Sequence, residues 1–354
     1  MLDSFDSVFR MSDKHTFRDL LWLSKSFEKT EPRDSVFAIL GLLSRDNNLE
    51  DEHTALLEVD YTKTVLDVLK DASRYALCQD GNLEMLGMIS HRPKQLSEEF
   101  PSWVLRADLL REQNDVGPLP KIFSASQGLH RPSLLRDMSY TAQVLLCEGF
   151  VVGQVLQTTS TYAEGSSTIS GLYSGLLGAK AMVKRHCDHA LQEDPGQAFM
   201  AMASVITAGM TRQGLRAQLK DLEIFSEYLA SLGIDEIDYI TPETFHNSIA
   251  NDKHPGHLSR GEALAEMDKS LYFGYCLHRH FFVTSKGGMG LGPELMRADD
   301  LVVILRGGRL PFILRKMDKF YQFIGPACVH GIMDGEAVKI WKAKNEPETI
   351  FPIR

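Results

Sequence analysis

From Thr16 onward apolar residues recur at helical spacing. Phe17, Leu20, Leu21, Ser24 and Phe27 fall on one stripe, and Pro32 then stops that helix and is placed to open the next. The second helix carries Val36, Ile39, Leu40 and Leu43 on one face, and a third, starting near Thr64, carries Val65, Val68, Leu69, Ala72, Tyr75 and Ala76. The stretch from Pro93 to Pro132 is rich in breakers, among them Phe100-Pro101-Ser102-Trp103 and Gly117-Pro118-Leu119-Pro120, and reads as irregular connections wrapped over a core. Between Val144 and Thr158 β-branched and aromatic residues dominate around Gly149 and Gly153, which predicts a strand or strand pair.

Helical spacing returns from Gly171 to Leu191, where Leu172, Leu176, Ala179, Met182, Val183, His186 and Ala190 form a broad stripe. Asp194-Pro195 has the form of an N-cap followed by a first-turn proline. Thr211 to Leu232 reads as a further helix ended by Gly233, and Ser259 with Glu262 has capping-box spacing ahead of Ala263, Leu264, Met267 and Leu271. Four helices are expected in this middle region. After His278 the apolar runs shorten to Phe281–Thr284, Leu301–Leu305, Pro311–Leu314, Tyr321–Ile324 and Val338–Trp341, separated by Gly, Pro and Asp. The expected class is α+β, a mainly helical body with a small antiparallel β subdomain or barrel at the C-terminus. Residues 1–135 would form a helical part with an irregular wrap, 136–277 a strand pair plus helical bundle, and 278–354 the β subdomain, all in one compact unit.

With 354 residues, of which 44% are hydrophobic and 24% charged, the chain has ample material for a core. A net charge of -9 with scattered Lys and Arg argues against capture of a phosphate backbone, so nucleic acid is not an expected partner. No apolar run approaches the roughly 20 residues that cross a bilayer, and no membrane insertion is expected. Asp3, Asp6 and Arg10 interrupt the first residues, so they do not read as an export signal. Cys78, Cys147, Cys187, Cys276 and Cys328 are widely spaced, which fits reduced thiols and a cytoplasmic location.

Six motifs invite a chemical reading. His186-Cys187-Asp188-His189 and His254-Pro255-Gly256-His257 offer imidazole and thiolate at metal-binding spacings, but neither has a companion pair, so surface histidines and no metal or cofactor are expected. Gly287-Gly288-Met289-Gly290-Leu291-Gly292-Pro293 lacks the Lys-Ser/Thr of a phosphate loop and reads as a set of turns. Gly171-Leu172-Tyr173-Ser174-Gly175 misses the nucleophile-elbow pattern by one position. Asp334 and Glu336 form a carboxylate pair on paper, yet Asp334-Gly335 is a turn dipeptide and a structural turn is the stronger reading. Asp299-Asp300 has no third carboxylate at helical spacing, which speaks against diphosphate chemistry.

Several segments carry a family resemblance. Glu31-Pro32-Arg33-Asp34-Ser35-Val36-Phe37-Ala38-Ile39-Leu40-Gly41-Leu42, Asp60-Tyr61-Thr62-Lys63-Thr64-Val65 and Phe100-Pro101-Ser102-Trp103-Val104 resemble, in order, blocks of the C-terminal body of fungal heterokaryon-incompatibility (HET) proteins. Arg279-His280-Phe281-Phe282-Val283-Thr284 with Gly288 to Pro293, and Val329-His330-Gly331-Ile332-Met333-Asp334-Gly335-Glu336-Ala337, are similar to blocks of the same family's tail. The sequence departs from the pattern at Leu105-Arg106, where the family has Pro-Asp, and at Asp299, where it has a glycine before Asp300. The SYVWG-like and WIDALCINQ-like motifs of the family's signalling segment do not occur, so the expectation is a body adapted to another task.

In fungi that task would be secondary metabolism. A pericyclic ring closure of Diels–Alder type needs no nucleophile, metal or phosphate motif, because holding the substrate in its reactive shape supplies much of the acceleration. The expected partner is an apolar, terpenoid-like small molecule bound between the middle helices and the β subdomain, with Tyr173, Met182, Phe199, Met202 and Met210 as pocket candidates. The same stripe is equally what helix packing requires. The alternative is a truncated HET protein that binds another fungal protein in allorecognition.

Overall fold

The computed structural model describes residues 16–24, 29–43, 54–92, 99–112, 122–129, 143–159, 169–186, 195–210, 216 and 278–354. Helix α1 (Phe17–Leu23) opens on a reciprocal cap: the Thr16 hydroxyl accepts the Asp19 N–H at 3.2 Å, and the Asp19 carboxylate accepts the Thr16 N–H at 3.1 Å. Helix α2 (Asp34–Leu43) begins two residues after Pro32, and α3 (Val65–Asp80) begins where the Thr64 hydroxyl accepts the Asp67 N–H at 3.1 Å. Their apolar stripes meet in one core through Phe17, Leu21, Val36, Ile39, Leu69 and Tyr75. Phe17 meets Tyr75 edge to face at 5.1 Å. All three expected helices are present.

The first two family-like blocks lock onto each other. Arg33 pairs with Glu31 and donates to the carbonyl of Lys63 at 3.0 Å, while the Tyr61 hydroxyl donates to Asp34 at 2.6 Å. The third block joins the helices to the sheet. Trp103 is fully buried with Nε1 donating to the Gln143 carbonyl at 3.1 Å, and Ser102 Oγ accepts the Phe323 N–H at 2.7 Å while donating to the Arg354 carbonyl.

Strand β1 (Leu145–Thr158) is one 14-residue strand with two register shifts, not a strand pair. It is followed by helices α4 (Ile169–His186) and α5 (Pro195–Ile206), the latter starting at the expected proline. The two further middle helices expected after Thr211 lie outside the described residues. Strands β2 (Arg279–Thr284), β3 (Met289–Pro293), β4 (Leu301–Leu305), β5 (Phe312–Lys316), β6 (Tyr321–Pro326) and β7 (Cys328–Val329) follow, then helix α6 (Glu336–Lys344) and β8 (Thr349–Ile353).

The eight strands pair in the order β4-β5-β6-β8-β1-β2-β3-β7, and β1 also pairs with β4, so β1, β4, β5, β6 and β8 close into a ring from which β2, β3 and β7 run on. Pairs are antiparallel except β6 with β8, which makes the sheet mixed where a purely antiparallel one was expected. The long β1 makes closure possible: residues 145–149 pair with β8, 149–154 with β4 and 155–158 with β2. Alternation along the strands then sorts side chains. Val155, Phe282, Val302, Ile313, Ile324 and Val329 cluster on one side, whereas Leu145, Val303, Leu314, Phe323, Phe351 and Ile353 join the core of α1–α3.

Two sequence expectations are corrected here. The glycine-rich tract 287–293 is mostly strand β3, with a turn only at its start. Its glycines make room for Phe282, since a Cβ on Gly290 would stand 2.4 Å from that ring and one on Gly292 would stand 2.7 Å from Met296 Sδ. Val338–Trp341 is helix, because Ala337 and Val338 stand four and three residues before Trp341 on one face and cover Phe150 and Ile304; Trp341 stacks on Phe150 at 4.8 Å. Among the described residues no helix is long and apolar enough to cross a membrane.

Candidate functional site

Helix α4 packs on β2, α5 packs on β3, and the two helices touch each other. Leu176, Ala179, Met182 and Val183 of α4 are buried at helical spacing, as are Ala201, Met202, Val205 and Ile206 of α5. On β2, Phe282 joins the cluster of Val155, Val302 and Ile313, so its neighbours Phe281 and Val283, both wholly buried, face the opposite way. The outcome is an apolar helix–sheet seam between α4, α5 and strands β2 and β3.

Met182 and Met202 are buried on the two helices of this seam. Tyr173 and Phe199 are placed on α4 and α5, with side chains outside the described residues. Met210 is also buried, but it lies in the turn beyond α5 and bridges to Arg216, so it belongs to the end of the seam rather than its middle. Gly171 to Gly175 lies within helix α4, which removes the strand-turn-helix setting a nucleophile elbow needs.

At the start of β2 lies a polar cluster that sequence reasoning missed. His278 is 8% exposed, adopts a left-handed backbone at φ 56°, and sets Nδ1 3.4 Å from Glu294 Oε2. His280 places Nδ1 2.6 Å from the Thr159 carbonyl and Nε2 2.8 Å from the Glu294 carbonyl. The Thr159 hydroxyl accepts the Phe281 N–H at 3.1 Å, and buried Arg279 donates to the Pro326 carbonyl at 3.4 Å. Burial pushes the nearby Cys328 thiol up to about 12, with the Arg279 cation pulling the other way, so the thiol stays protonated and inert. The only sequence signal for this cluster was the run His278-Arg279-His280 ahead of an apolar strand.

The other motif residues do structural work. Asp334 pairs with Arg216, and the Glu336 carboxylate accepts the Asp334 N–H at 2.7 Å, which folds the turn into α6. His186 binds Gln157 at 2.8 Å, while Cys187 to His189 and His254 to His257 lie outside the described residues. Asp300, 2% exposed, holds Arg315 through both oxygens at 2.8 and 3.0 Å. Among the described residues no three His, Cys, Asp or Glu side chains are grouped to hold a metal ion.

A helical body joined to a closed ring of mixed strands defines the class of protein. Residues 185–346 match the family model described as the Het-6 beta-barrel domain. The chain is also 24% identical over 356 aligned positions to heterokaryon incompatibility protein 6, OR allele, of Neurospora crassa, an alignment covering 87% of this chain and 49% of the relative. The chain thus carries a Het-6 beta-barrel domain and is a distant homologue of that incompatibility protein over most of its length. It spans about half the length of this curated relative. No solved structure matches it. The family match leaves out β1 and β8, which flank it in sequence and close the ring in space.

Proposed function

We propose that the chain is a Het-6-type body turned to fungal secondary metabolism, taking an apolar, terpenoid-like molecule into the seam and promoting a Diels–Alder type cyclisation. The observation that carries this reading is the burial of Met182 and Met202 on two apolar helices that pack on β2 and β3 and on each other. Flexible thioether side chains adapt to a hydrocarbon skeleton. A donor at one end would stabilise the charge that develops on a carbonyl as the ring closes, and the rest of the rate would come from holding the reactive conformer. The reading calls for no cofactor and places the protein in the cytoplasm.

The test is deletion of the gene and comparison of extracts by mass spectrometry. Loss of one product with accumulation of an isomer of equal mass, which the purified chain then converts, supports the cyclase. A second reading, a protein-binding module in allorecognition, rests on the relative's name and on exposed Leu146 and Ile350, which share the outward face of β1 and β8. Unchanged metabolites with altered fusion between incompatible strains would sink the cyclase and favour that module.

A further inference from the structure

Two exposed patches of opposite charge stand on the surface, and each sets apolar side chains among its charges. The first is the turn between β5 and β6, closed by the Met317 N–H on the Phe320 carbonyl at 2.9 Å. Met317 is 50% exposed there, with exposed Lys316 and Lys319 on either side. Neither lysine is held in an ion pair among the described residues, and Asp318 is the one carboxylate within the turn. Arg315, just behind, is neutralised by Asp300 at 2.8 Å. The tip is therefore basic in a chain whose net charge is -9.

The second patch is Glu58-Val59-Asp60-Tyr61, ahead of α3, where acidic and apolar residues alternate; Val59 is 55% exposed and Tyr61 53%. Tyr61 is firmly seated, because its hydroxyl donates to Asp34 at 2.6 Å and its ring meets Phe37 edge to face at 5.0 Å. A tyrosine already held in place loses little freedom when a partner covers it. The cations around it are engaged, Arg33 with Glu31 at 2.7 Å and Lys63 with Asp71 at 3.1 Å. Asp60 accepts from neutral donors, the Thr62 N–H at 2.8 Å and the Thr62 hydroxyl at 2.6 Å, so no salt bridge balances its charge. Glu58 is exposed beside it.

We propose that the β5–β6 tip of one copy of the chain seats on the Glu58–Tyr61 patch of a second copy. Lys316 and Lys319 meet Glu58 and Asp60, and Met317 covers Val59 and the Tyr61 ring, a thioether against an aromatic. Because the two patches differ, each seated pair leaves one tip and one patch open, and assembly runs on into chains or rings. Few side chains take part, so the contact is weak and needs a high concentration of chain. The like net charge of two copies opposes it at long range, but at about 0.1 M salt that repulsion is damped beyond about 10 Å while touching pairs still attract. This inference does not depend on the cyclase reading.

The test is sedimentation velocity of the full chain from about 1 µM to about 1 mM, the range in which weak contacts form. At about 0.1 M salt the weight-average mass should rise with concentration without levelling at a dimer, and the rise should vanish at about 1 M, where charges act over only about 3 Å. Lys316→Glu combined with Lys319→Glu should stay monomeric, as should Glu58→Lys combined with Asp60→Lys. An equimolar mixture of these two doubly substituted chains should assemble again, since every tip then faces a patch of opposite sign. An unsubstituted chain that stays monomeric throughout, or assembly that persists in the tip variant, overturns the proposal. Flotation of a monomeric chain with phosphatidylserine vesicles, lost in the tip variant, also overturns it and makes the tip a membrane contact. If the patch variant does not fold, the tip variant and the salt series decide the matter.

Discussion

Asp299 carries a left-handed φ of 71° at the position where the resemblance led us to expect glycine, so the turn kept its shape when the side chain changed. An Asp tolerates that region at a cost that glycine avoids, and its carboxylate recovers only an exposed bond from Gln154 at 3.2 Å. Asp299→Gly should therefore raise stability by about 0.5 kcal/mol, read as a rise of a degree or two in the thermal midpoint. Gly149 is the opposite case. A Cβ there would stand 2.1 Å from the Ile304 carbonyl, inside the β1–β4 pairing. Gly149→Ala should cost about 3 kcal/mol or more in a urea titration, and a loss below about 1 kcal/mol would show that the two strands can part without penalty. Neither effect could be read from the sequence, where Gly149 looked like an interruption of a strand. The same holds for His278, His280 and Glu294, which converge only because β2 and β3 run antiparallel with His280 opposite Gly292.

Helices α1, α2 and α3 were legible because caps and apolar spacing agree locally, as at Thr16 with Asp19 and at Thr64 with Asp67. Val338–Trp341 was misread because four residues of mixed character fit either period, and only the contact with Phe150 decides between them. The glycines of β3 read as turns in the sequence because their purpose, the space for Phe282, lies on another strand. Joints between elements follow the same rule. Ser102 reads as an ordinary loop serine, yet it accepts the Phe323 N–H and donates to the Arg354 carbonyl, tying the helical body to β6 and the end of β8. Ser102→Ala leaves a buried N–H without its acceptor and should cost about 2 kcal/mol by chemical denaturation, whereas Ser102→Thr should keep most of the bonding. Asp300 is the equivalent joint between β4 and β5 through Arg315. Asp300→Asn weakens a buried bidentate pair and should cost about 3 kcal/mol, with Arg315→Met in the Asn background recovering part of it.

Across the whole molecule, one core runs from Phe17 on α1 to Ile353 on β8, and its acid sensitivity has an identifiable source. Burial lowers the pKa of His91 to about 4, outweighing the bond of its Nε2 to the Ser102 carbonyl at 2.9 Å; the Arg106 cation pushes the same way as burial. In the unfolded chain this ring takes up a proton near pH 6.5, so the unfolded state binds more protons between pH 6.5 and 4 and stability falls as pH drops through that window. The loss should reach about 3 kcal/mol, and it should be absent from the difference between pH 7 and 8. Unfolding of His91→Gln should depend less on pH over the acid window, and equal dependence would point to another group. The class, with its helical start and β-rich end, was readable from periodicity. Ring closure was not, because it rests on pairings between β1 and strands more than a hundred residues away. That arrangement sets the order of events during synthesis. As the ribosome delivers the chain, β1 emerges long before β2, β4 and β8, its sticky edges bare and the helices beside it short of the apolar cover those later strands supply. Pairing across such long spans is slow, so the nascent chain should lean on chaperones through this interval and be most prone to aggregate there.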